Sequence, residues 1–145
     1  MNLIARVENT QKTIDTWLDR EFIWGTADCG QMVGGHLETM GITTPLAMAG
    51  SYKTEIGAKR VISRLGASSM EDFLDRLGFE RIPPATAIVG DIVGFPGGRD
   101  EDHAWTALGV HTGSDKILGF AAADGEAAIV RVGPVSVATV AWRVA

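Results

Sequence analysis

A single cysteine offers this chain's clearest prospect of chemistry. Cys29 lies in Phe22-Ile23-Trp24-Gly25-Thr26-Ala27-Asp28-Cys29-Gly30-Gln31. From it the apolar residues recur at Val33, Leu37 and Met40, a spacing that places them on one helical face. Asp28 suits the N-cap, because its carboxylate can accept bonds from first-turn amides, and Gly41 suits the left-handed stop after Met40. Cys29 is therefore expected to open a helix and point inward. The helix N-terminus favours a thiolate, whereas the adjacent Asp28 charge opposes one, so a nucleophilic Cys29 needs a separate base, normally a histidine. Gly34 and Gly35 in mid-helix suggest that another backbone, plausibly a sheet, packs closely there.

The elements needed to hold such a site follow in order. Ile4, Val7, Ile14, Trp17 and Leu18 predict an amphipathic helix within residues 3–20. Residues 42–51 read as a loop, 52–65 as a helix ended by Gly66, and Ser69 to Leu77 as a short capped helix stopped by Gly78. After Pro83-Pro84 the pattern changes to strands: 87–95, 104–112, 116–123, 127–132 and 135–144, separated by turn residues such as Gly113-Ser114-Asp115 and Asp124-Gly125. Helices followed by an antiparallel meander define an α+β class, with one domain spanning 1–145, mainly helical over 1–82 and mainly stranded over 85–145.

Composition narrows the function. Hydrophobic residues make up 46% of the 145 and charged residues 21%, the profile of a globular chain. Lysine and arginine number 13 against 18 acids, a net charge of −5, so no nucleic-acid partner is expected. One cysteine excludes an internal disulfide and a multi-cysteine metal site. The N-terminal stretch lacks the basic and apolar regions of a signal peptide, and no apolar run reaches membrane-spanning length. Synthesis in the cytoplasm without a signal peptide, and no membrane partner, are therefore expected. No serine-nucleophile elbow, phosphate loop or zinc-protease helix is present. Asp100-Glu101-Asp102-His103 could attract a hard cation, but adjacent acids in a loop usually serve as a solvated surface, so neither metal nor cofactor is expected.

Phe22-x-Trp24-Gly25-x-x-x-Asp28-Cys29, the strand opening Gly90-Asp91-Ile92-Val93, and Leu108-Gly109-Val110-x-x-Gly113 together resemble the papain-like cysteine peptidases of the NlpC type. With the closing Ala141-Trp142-Arg143, the chain is most similar to the small members found beside phage and prophage tail-tip genes. The resemblance implies a papain-like fold with N-terminal helices packed on an antiparallel sheet or half-barrel. It also implies Cys29 as nucleophile, Asp28 and Trp24 as supporting residues, and a peptidoglycan stem peptide as substrate. Partners would be other tail-tip or hub proteins, and the protein would reside in the virion tail.

The family's base heads the strand after the Gly-Asp strand, a position occupied here by Ala107, and the next strand offers no third polar residue. His103 and His111 share the strand face of Ala107 but lie four residues to either side, about 13 Å away along an unbroken strand. A bulge could bring one of them to Cys29, with His103 favoured because it follows a glycine-containing loop. His36 is seven residues from Cys29 on its own helix, about 10 Å along the axis, and is excluded as base. The sequence thus leaves three functions open: a tail-tip component with a degenerate site, an active peptidase or amidase acting during DNA entry, or a host-encoded amidase unrelated to phage. Trp24, Trp105 and Trp142 are read as core or interface anchors rather than substrate platforms.

Overall fold

Asp91, fully buried, is the point at which the two halves of the protein meet. The computed structural model describes residues 1–45, 52–97, 105–122 and 126–145. The helices are α1 (Leu3–Trp17), α2 (Cys29–Thr39), α3 (Glu55–Arg64) and α4 (Met70–Arg76). The strands are β1 (Glu80–Ile82), β2 (Ile92–Gly97), β3 (Trp105–Gly113), β4 (Lys116–Ala121), β5 (Ile129–Pro134) and β6 (Val140–Arg143). They form one antiparallel sheet in the order β1-β6-β2-β3-β4-β5, and the α+β class is as expected.

Caps set the helix starts. The side chains of Asn2, Asp28, Thr54 and Ser69 each accept an amide of the first turn of α1, α2, α3 and α4. Gly41, Gly66 and Gly78 follow three of the helices with φ of 87°, 85° and 91°. Ser114 and Asp115, both at positive φ, make the tight β3–β4 hairpin turn, whose twist suits paired strands.

The main core lies between α2 and one sheet face, where Met32, Val33 and Leu37 meet Ile92, Leu108, Val110, Leu118 and Trp142. A second cluster of Ala87, Val93, Ile117 and Ala141 covers the opposite face.

Four sequence expectations change. Helix α1 turns Arg6, Thr10, Thr13 and Trp17 inward, while Ile4 and Val7, expected on the buried side, are 70% and 50% exposed. The reason is polar. The Arg6 guanidinium donates to Asp91 Oδ1 (2.6 Å) and to the carbonyls of Val89 (2.8 Å) and Val144 (2.5 Å). The Thr13 hydroxyl meets His36 Nδ1 at 2.7 Å. Strand β2 begins at Ile92 rather than Ala87, because Ile88 to Asp91 form a turn: Asp91 N–H donates to the Ile88 carbonyl, Ile88 N–H donates to the Asp91 carboxylate, and Gly90 has φ 91°. The last stretch, 135–144, is a 3-10 turn at Val135–Val137 followed by β6, which is buried on both faces between β1 and β2. Strand β1 was not anticipated. Three residues before a proline are too few to show an alternation.

Asp91 also accepts Arg143 Nε (2.9 Å) and the Val144 amide (3.0 Å). Asp91→Ala would leave Arg6 buried without its anion, and should lower unfolding stability by about 3–5 kcal/mol in urea titrations. A second consequence concerns pH. Burial pushes His36 down to about 4; the Gly90 carbonyl, accepting from Nε2 at 3.0 Å, pulls the other way, and the Arg6 charge pushes further down. Between pH 6.5 and 4 the unfolded chain takes up a proton that the folded chain refuses. Stability should therefore fall by up to about 3 kcal/mol across that window and be flat above it. The slope should be reduced in His36→Gln, with the remainder belonging to His111, whose pKa burial also lowers.

Candidate functional site

The loop from Phe22 to Asp28 is folded onto the start of α2 by the capping carboxylate. Asp28 Oδ1 accepts Gln31 N–H (2.9 Å), and Oδ2 accepts Gly25 N–H (2.8 Å) and the Tyr52 hydroxyl (2.7 Å). Gly25 is obligatory here: its φ is +81°, and a Cβ would lie 1.9 Å from the Tyr52 carbonyl oxygen. The phenol of Tyr52 is thereby tied across the helix start, and burial followed by the Asp28 bond raises its pKa.

Cys29 opens α2 and is half-buried. Its sulfur lies beside the backbone amides of Leu108 on β3, of Gly30 and of Cys29 itself. Those donors favour the thiolate, but burial outweighs them and the Asp28 charge adds to the opposition, so the thiol is pushed up to about 11.

Two clefts meet at this cysteine. One, of about 680 Å³, is walled by Trp24 and Trp105 on one side and by α3 and the start of α4 on the other. The other, of about 620 Å³, runs over β3, β4 and β5. Phe22, Cys29, Pro96, Gly97 and Trp105 line both. The aromatic wall is rigid: Phe22 packs edge-on against Trp24 (4.7 Å, 89°) and Phe120 (5.3 Å, 82°), and Trp24 leans on Trp105 (6.4 Å, 54°).

Ala107 lines the second cleft together with Cys29, so the strand position expected to carry the base faces the site without one. His111, also considered as base, is buried at the far end of β3 and lines neither cleft. Its Nδ1 accepts Gly113 N–H (3.1 Å), its Nε2 has no hydrogen-bond partner among the described residues, and burial lowers its pKa. His36 is bound to Thr13 and Gly90, away from the sulfur. His103 and the acidic residues 100–102 lie outside the described residues. No cluster of three or more metal-binding side chains occurs among the described residues, and no helix among them is long and apolar enough to cross a membrane.

Of Trp24, Trp105 and Trp142, only Trp142 is wholly core, its indole N–H donating to Asp75 (2.9 Å). Trp24 and Trp105 are half-buried cleft walls. Sequence reading passed over Tyr52, taken as the first residue of a helix, and over Glu71, whose Oε1 accepts the Thr106 hydroxyl (2.5 Å) inside the first cleft. Glu71 reads as an ordinary first-turn acid, and nothing in the sequence ties it to Thr106.

A lone cysteine at a helix start, pressed against a strand of an antiparallel sheet and open to clefts on both sides, defines the class: an α+β domain built around a sheltered thiol. The chain belongs to the family described as "Domain of unknown function (DUF6950)", whose model matches residues 5–144. No curated protein and no solved structure matches it.

The opposition between Asp28 and the thiolate can be measured. Asp28→Asn keeps a capping oxygen and removes the charge, so the Cys29 thiol should titrate below its wild-type value by thiolate absorbance.

Proposed function

We propose that this chain is a tail-tip component of a phage or prophage, an NlpC-like module whose cysteine no longer acts as a nucleophile. In this role its clefts hold neighbouring tail proteins rather than cut a wall peptide. The phage context comes from the sequence resemblance from Phe22 to Arg143. The observation that carries the loss of activity is Ala107, a methyl group at the strand position where a histidine would have to stand. The raised thiol pKa supports it, because a nucleophilic cysteine works as the thiolate near neutral pH.

One observation favours the alternative, an active peptidase or amidase cutting peptidoglycan stem peptides. The three backbone amides gathered at the sulfur are the donors a thiolate needs, and His103 would then supply the base.

Alkylation of Cys29 as a function of pH separates the two, and the signal is unambiguous because the chain has no other thiol. The degenerate site predicts slow reaction throughout the neutral range, rising only as pH approaches 11. Fast reaction near pH 6, slowed by His103→Ala, would overturn it in favour of the peptidase.

A further inference from the structure

The two clefts around Cys29 differ in charge. The first carries Glu55, Lys59 and Glu71, with Lys59 3.5 Å from Glu55, so that Glu71 gives it a net negative end. Among the described residues, Arg131 is the only charged one lining the second; it is exposed and makes no ion pair with any of them. Between them lie the rings of Phe22 and Trp105, Pro96, and small residues such as Ala107 and Gly119. A ligand filling both therefore sees an acidic end, an apolar middle and a basic end.

The second cleft also borders an open strand edge. Val130 donates its N–H to the Arg20 carbonyl (2.9 Å) and accepts Asp19 N–H (3.0 Å), while Phe22 N–H goes to Ala128 (2.9 Å). The chain before Asp19 turns away into α1, so this covering stops at Val130. By the alternation of an antiparallel ladder, Val132 turns its N–H and carbonyl outward in the same direction, and no hydrogen bond to them is made by a described residue. Val132 is 45% exposed and lines the cleft. An unpaired main-chain donor and acceptor beside side-chain cavities is the arrangement that receives an extended strand.

We infer that the joined clefts bind an extended polypeptide segment of a partner protein, with a basic side chain against Glu71, apolar or small residues crossing Cys29, and an acidic side chain against Arg131. This rests on the reading that the site holds rather than cuts. The two fail separately, since alkylation of Cys29 reports on cutting and charge-order selection reports on holding.

The test is selection of a random dodecapeptide display library on the full-length chain, with intrinsic tryptophan fluorescence to measure the affinity of the peptides recovered. Enriched peptides should carry one basic and one acidic residue in a single preferred order. Glu71→Lys and Arg131→Glu should each weaken them by about tenfold or more. The double reversal should prefer peptides with the charges exchanged. Glu71→Gln, which retains an acceptor for Thr106, serves as the milder variant if the lysine disturbs folding, and should also weaken binding. No enrichment, enrichment without the charge pair, or affinities indifferent to both positions would overturn the inference. So would protection of the tryptophans by a soluble chito-oligosaccharide in place of the peptides.

Discussion

The rest of the structure depends on a single buried carboxylate. Asp91 gathers Arg6 from α1, Arg143 from β6 and the amides of Ile88 and Val144, joining the first helix, the turn before β2 and the closing residues. An anion at 0% exposure is tolerable only when charges and donors surround it, and here both of its oxygens are engaged. The price is visible on α1, which gives its inner face to Arg6, Thr10 and Thr13 and leaves Leu3, Ile4 and Val7 outside. His36 extends the same polar seam by linking Thr13 to the Gly90 carbonyl, so α1, α2 and the sheet are fixed together.

With α2 fixed in this way, its first residue has nowhere to go but the seam beside β3. Cys29 there meets opposing influences. The helix start and the amides of Leu108 and Gly30 favour negative charge on sulfur, whereas desolvation and Asp28 oppose it, and the second pair wins. Asp28 cannot be relieved of its charge without cost to the loop, because the same carboxylate holds Gly25, Gln31 and Tyr52 in place. A base on the strand would tip the balance by offering the thiolate a cation, and Ala107 offers none.

Much of this was legible in the sequence where one residue type has one physical use. Asp28 and Ser69 read as caps, Gly41, Gly66 and Gly78 as stops, and Gly113-Ser114-Asp115 as a hairpin turn, and each acts so. Less legible was anything decided by a distant partner. Periodicity assigned Ile4 and Val7 to the buried side of α1, because hydrophobicity alone cannot anticipate that Arg6 will be drawn inward by a carboxylate 85 positions away. Strand β1, only three residues long, is too short to show a period. Near the clefts, Asp28 was legible as the cap of α2 and Cys29 as its first residue, whereas Trp24 was singled out by the family resemblance. Tyr52, Glu71 and Arg131 were not, because their roles arise from which loops and strands the fold brings beside the clefts.

On the proposed reading, Cys29 is silent because the strand beside it carries no base. Ala107→His tests this most directly, followed by the rate of Cys29 alkylation at neutral pH. The account predicts that an imidazole at this position lowers the thiol's titration and accelerates alkylation by at least about tenfold, the effect of a thiol pKa lowered by one unit. A substituted protein that folds normally and reacts no faster than wild type would contradict it.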